Sequence, residues 1–243
     1  LAHITLLFVL VPFVLRLPYG KQSYMAYLDS IRLSRVRPFF QLLLLALSCY
    51  LIQVLCQVGS VLVYRASQGL PNTWLSMSIV FDWANLVPAD TWSWLNPLPS
   101  IFEEVAFRGV VLSLFLTRYS KPQAVLFSAL GFGAMHLLNL TSDRETVWVL
   151  GQFIWSTIFG LFYGALVLKA NSLWPAMLIH YLSNLFIEPL TGYVQHNASV
   201  ETQTLYGILF FFGIVPTILM ILWTFLYTKI WPISVGKVQT LKE

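Results

Sequence analysis

The sequence predicts an all-α polytopic membrane protein, a bundle of about seven transmembrane helices, and three observations carry that prediction. Of its 243 residues 58% are hydrophobic and only 10% charged, where a soluble domain carries about a quarter charged residues, and the mean hydropathy is +0.74. The apolar residues gather into runs of roughly 20, the length a helix needs to cross a hydrocarbon core. Lys and Arg fall mainly in loops, on one side of those runs, as in oriented membrane insertion. The net charge of +4 and a pI near 9.1 would suggest nucleic acid in a soluble chain. Here the basic residues read as topology signals, and no nucleic-acid partner is expected.

Residues 1–15 are apolar but lack the basic start and small-residue cleavage site of a signal peptide. With Leu1 rather than Met at the head, they read as the remainder of a first span. Residues 16–38 form a loop with Arg16, Lys21, Arg32, Arg35 and Arg37 against Asp29. Its later half, Tyr27 to Arg37, alternates apolar and basic residues and is expected to lie on the membrane surface. A second span, 39–64, is 26 residues long and can cross with tilt. Cys49 and Cys56 sit seven apart on it, about 10.5 Å along the axis, too far to pair.

The 65–99 region scatters Trp74, Trp83, Trp92 and Trp94, residues that favour the headgroup level. It reads as a lid or collar and as the place where a membrane-protein partner would dock. Four spans follow at about 100–117, 122–140, 147–168 and 172–190. The last, 205–227, has Pro216 near its middle, which predicts a kink. No internal repeat or linker is visible, so 1–243 reads as one transmembrane domain. With the 16–38 loop cytoplasmic, eleven Lys and Arg fall on cytoplasmic ends against Arg65 and Arg144 opposite. That count makes the chain a multi-pass integral protein with a cytoplasmic C-terminus.

Charges inside the apolar spans are the functional signal. A charged side chain at a helix centre costs roughly 2.5–3.5 kcal/mol on insertion scales, yet the third span carries Glu103, Glu104 and Arg108 in its first half. Glu104 and Arg108, four apart, share a face and can pair; Glu103 is rotated about 100° away and left over. The fourth span carries His136 one turn beyond Phe132, with Asn139 on the same face, and Gly131, Gly133 and Ala134 that admit a close neighbour. In the sixth, His180, Asn184 and Glu188 recur every fourth residue as one polar stripe. Burying three polar stripes together predicts a catalytic pocket between helices 3, 4 and 6. A carboxylate beside histidines can take a proton from water while a polar group steadies an oxyanion. The same donors could instead hold a divalent metal that acidifies its water. Either route is hydrolysis.

Glu103-Glu104-x-x-x-Arg108, Phe132-x-x-x-His136 and His180-x-x-x-Asn184, in that order, resemble the three motifs of the CPBP family. These are the CAAX proteases and bacteriocin-processing enzymes, also called the Abi or type II CAAX prenyl endopeptidase family. The flanking Phe107-Arg108-Gly109 and Ser172-Leu173-Trp174 resemble its wording too, so the likeness covers about residues 98–188. The resemblance implies an intramembrane endopeptidase of the glutamate type, acting on membrane-associated peptides or proteins. By it, Glu103 activates water as general base, with Glu104 and Arg108 orienting the site. His136 binds or polarises the water, and His180 and Asn184 stabilise the oxyanion. Glu188 lies beyond the motif and reads as interfacial. The family has been described both as metalloproteases and as metal-independent, so the cofactor stays open; Zn or another divalent metal would fall to Glu103, His136 and His180.

On the predicted topology Glu103 and His136 lie near the non-cytoplasmic ends of their helices, and the pocket opens away from the cytoplasm. That favours processing of membrane peptides or proteins in a bacterial plasma membrane or an organellar membrane over a prenylated C-terminus, which is made on the cytoplasmic side. The alternative is a non-catalytic membrane scaffold or assembly factor that retains the pocket. A proton- or ion-coupled transporter would also use buried charges, but no inverted repeats are visible.

Overall fold

In hydrocarbon the backbone has no hydrogen-bond partner but itself, so apolar runs must fold as helices. The computed structural model describes residues 24–73, 81 and 91–233, and every regular element among them is helical. The expected first span lies outside the described residues, as do residues 74–80 and 82–90 of the 65–99 region. The elements begin with α1 (Tyr24–Ser30), α2 (Phe39–Ser67) and α3 (Thr91–Leu95). Helix α4 runs Leu98–Glu104, continues as a π-helical stretch over Val105–Val111, and ends in Leu112–Phe115. Helix α5 (Lys121–Met135) tightens into a 3-10 helix at His136–Thr141, and α6 (Thr146–Ala170) and α7 (Trp174–Asn197) follow. The last are α8 (Val200–Tyr206, with a π-helical stretch at Gly207–Phe211) and α9 (Ile214–Ile230).

Among the described residues, four stretches are long and apolar enough to cross a membrane: Phe39–Ser67, Lys121–Thr141, Thr146–Ala170 and Val200–Ile230. The segments expected as the third and sixth spans fold as the helices α4 and α7, which carry the buried charges and the polar stripe. Helix α6 is central and touches α5, α7, α8 and α9, while α7 also packs on α2 and α4. Between lipid-embedded helices close packing replaces the hydrophobic drive. A Cβ on Gly133 would overlap Thr157 Oγ1 and come within 2.8 Å of the Phe153 carbonyl, so α5 and α6 meet there backbone to backbone. Gly164 lies against Val125 one layer further along. Gly131 is exposed, with only the Phe107 ring 3.6 Å from where a Cβ would stand.

Three local readings are corrected. The 27–37 segment does not simply lie on a surface: Tyr27, Ile31 and Arg32 are buried in the bundle end. Arg32 Nε donates to Asn171 Oδ1 (3.2 Å) and its Nη1 to Ser113 Oγ (3.1 Å), so the segment after α1, the last turn of α4 and the loop after α6 share one end. Alternating hydropathy cannot show that a single arginine finds buried acceptors. The last span breaks at Phe212 and Gly213 rather than at Pro216, which sits in the first turn of α9, where a proline is tolerated. Gln53 and Gln57 of α2, both buried, turn their amides toward the Phe211 carbonyl beside that break (3.5 and 3.4 Å). Finally, α7 runs through Pro189 to Asn197 instead of ending near residue 190.

Candidate active site

Helix α4 places its charges where the helix changes pitch. The π-helical stretch begins directly after Glu104, a geometry frequent at functional sites. Glu104 and Arg108 remain on one face and pair, Arg108 Nη1 to Glu104 Oε1 at 2.9 Å, with both side chains fully buried. The guanidinium lies over the Phe132 ring (4.1 Å to the centroid) and near that of Tyr163 (5.2 Å).

Helix α7 delivers His180 to the same carboxylate. His180 Nδ1 stands 2.8 Å from Glu104 Oε1; an ionised carboxylate only accepts, so Nδ1 carries the proton. The other ring nitrogen, Nε2, faces Glu103 Oε2 at 3.8 Å. The sequence left Glu103 unpaired; in the fold it stands across from the second face of His180. Its side chain keeps 28% exposure, whereas Glu104 is sealed in. Two adjacent carboxylates thereby acquire different surroundings.

Helix α5 supplies the second imidazole as its last α-turn tightens. His136 Nδ1 donates to the Phe132 carbonyl (3.0 Å), leaving Nε2 as the acceptor of the neutral ring. Phe132 meets the rings of both His136 and His180 edge-on, at 5.0 and 5.9 Å. Glu103, His136, His180 and Asn184 all line one cavity of about 650 Å³. Glu104 and Arg108 lie behind its wall, and the Glu188 side chain is outside what the structure describes.

The cavity draws on more of the chain than helices 3, 4 and 6. Helix α6 adds Trp148, Gln152, Trp155, Ser156 and Phe159, the turns of one helical face, and Gln195, Gln203, Phe211 and Phe212 close the far side. Gln152 also accepts from Asn139 Nδ2 at 2.8 Å. Gln152 and Ser156, four apart in an apolar span, were a polar stripe readable in the sequence. Gln195 was hidden by the expectation that the sixth span ends at about residue 190. The lining runs from Phe159 and His180, inside α6 and α7, toward the ends of elements beside residues 142–145 and 198–199.

As metal ligands the three expected residues do not assemble: among the described residues no three His, Cys, Asp or Glu side chains converge to hold an ion. His180 spends its Nδ1–H on Glu104, and His136 does not join His180 and Glu103 in a coordination shell.

A helical bundle that seals a Glu–Arg pair beneath a cavity of carboxylate, imidazole and amide groups defines an integral, polytopic membrane protein. Residues 87–186 match the family described as type II CAAX prenyl endopeptidase Rce1-like, which bears out the resemblance read from the three motifs. The match supports a CAAX-type intramembrane protease function in general terms, with a lipid environment and a membrane-associated substrate. Comparison with curated proteins and with solved structures finds no match.

Proposed function

We propose that the chain is an intramembrane endopeptidase that hydrolyses membrane-associated peptides or proteins, with Glu103 as general base. The observation that carries this reading is that Glu103, His136, His180 and Asn184 line one cavity. Glu103, partly exposed to that cavity, takes a proton from the attacking water, and the acceptor nitrogen of His136 orients it. As the water adds to the peptide carbonyl, Asn184 and His180 steady the oxyanion. The proton on Glu103 then passes to the departing amine. Glu104 and Arg108 hold His180 from behind, and no step is routed through a metal.

The basic end around Arg32, Arg118 and Lys169 is taken as cytoplasmic, so the cavity opens on the other side and receives segments from there. Glu103→Gln or His136→Ala is expected to remove cleavage of a membrane peptide by about 10²-fold or more with the protein still folded. Unchanged cleavage in both variants removes the assignment. Chelator treatment of the purified protein is expected to leave the rate unchanged; a loss restored by Zn²⁺ alone would contradict the metal-free scheme.

A further inference from the structure

Among the described residues the buried Arg108 guanidinium finds no hydrogen-bond partner for Nε and Nη2, only Nη1 being bonded, to Glu104. Such a group is costly to bury unless something stands in for the missing partners. Aromatic faces do so here, Phe132 from α5 and Tyr163 from α6. Helix α6 also makes the room. Gly160 lies three residues before Tyr163, and a Cβ there would stand 3.0 Å from Arg108 Nη2 and 3.0 Å from the Ala129 Cβ. The Tyr163 ring serves a second group as well, stacking on His180 at 5.3 Å with only 26° between planes. Phe132 meets the same imidazole at 89°.

We propose that Tyr163, a residue outside the three motifs, is a positioning residue that clamps Arg108 with Phe132 over Gly160 and fixes the ring plane of His180. The inference rests on the peptidase reading of this site. Glu104 Oε1 bonds both Arg108 and His180, so a shift of the guanidinium moves the carboxylate. His180 Nε2 then leaves its place 3.8 Å from Glu103 Oε2. Loss of the ring therefore disturbs the reacting geometry while substrate contacts along the cavity stay in place. The effect belongs to the ring faces rather than to the hydroxyl, which makes phenylalanine the conservative replacement.

The test compares wild type, Tyr163→Leu, Tyr163→Phe and Phe162→Leu in lipid nanodiscs, using a fluorogenic membrane peptide that the wild type cleaves. Phe162 is the control: equally buried and 5.3 Å from the Tyr163 ring, it lines no part of the cavity. A second readout needs no turnover, the nitrogen-labelled histidine spectrum, in which the Nδ1–H of His180 is assigned by its loss in His180→Asn. Tyr163→Leu is expected to lower kcat about tenfold or more with KM within about twofold, and to shift or erase the His180 signal. Tyr163→Phe restores both, and Phe162→Leu disturbs neither. Wild-type kcat with an unmoved signal in Tyr163→Leu overturns the inference. So does a Phe162→Leu variant that matches Tyr163→Leu in both readouts, since that is core packing alone. If Glu103→Gln cleaves like wild type while Tyr163→Leu still moves the His180 signal, the peptidase reading falls and the clamp is upheld.

Discussion

At the scale of single residues the site separates two neighbouring glutamates by what surrounds them. Glu104 has no exposure and shares one oxygen between Arg108 and His180; Glu103 keeps access to the cavity. Breaking a buried pair from one side leaves an uncompensated charge, which costs roughly 3–5 kcal/mol. Arg108→Leu is therefore expected to lower the thermal unfolding temperature in detergent strongly, and Glu104→Leu added to it to recover part of the loss. A single variant that melts like wild type would show that the pair carries no structural weight. The charged trio, His136 and the His180 stripe were legible because ionisable residues in an apolar span have few reasons to be there. Tyr163 was not legible, since an aromatic residue in an apolar helix looks the same whether it faces lipid, core or a guanidinium.

At the scale of elements, the α5–α6 contact gives the sharpest contrast. Gly133→Ala puts a methyl against the Phe153 carbonyl, 2.8 Å away and part of the backbone of α6. It is expected to destabilise by about 1–3 kcal/mol, the range for overpacking. Gly131→Ala meets only ordinary contact with Phe107 and gains helix propensity, so it should be neutral or slightly stabilising. Equal unfolding temperatures for the two variants would contradict the packing described. Sequence periodicity places these helices well because membrane spans are fixed by length and hydropathy. It cannot place the π-helical stretches at Val105–Val111 and Gly207–Phe211, where the hydrogen-bond register is chosen by the neighbours. It also stops α7 two turns early, at about residue 190, whereas the bundle carries Pro189 within a helix that runs on to Asn197.

At the scale of the molecule, the two ends differ in charge and in work. One end holds the cavity; the other gathers Arg32, Arg35, Arg118 and Lys169 and is tied together by the segment after α1. That segment is pinned in part by Asp29, which accepts from Arg35 Nε and Nη2 at 2.9 and 2.6 Å. These hydrogen bonds hold the Asp29 carboxyl below its usual range. A depressed carboxylate contributes stability above its unfolded value of about 3.9, and that contribution is lost as pH falls through the lower folded value. Proteolysis within 31–38 should accordingly quicken below about pH 4, and Asp29→Asn should show the faster rate already at neutral pH. The effect is modest, because exposed pairs are screened by water. A flat pH profile in the wild type would contradict the pinning.

In the proposed function Glu103 drives water onto a peptide bond inside this cavity. Mass spectrometry of a membrane peptide cleaved in heavy-oxygen water tests it most directly, with wild-type and Glu103→Gln protein of equal thermal stability. The expected result is fragments whose new carboxyl terminus carries one solvent oxygen in the wild type and no fragments above background in Glu103→Gln. The same labelled fragments at the same rate from both proteins would contradict it.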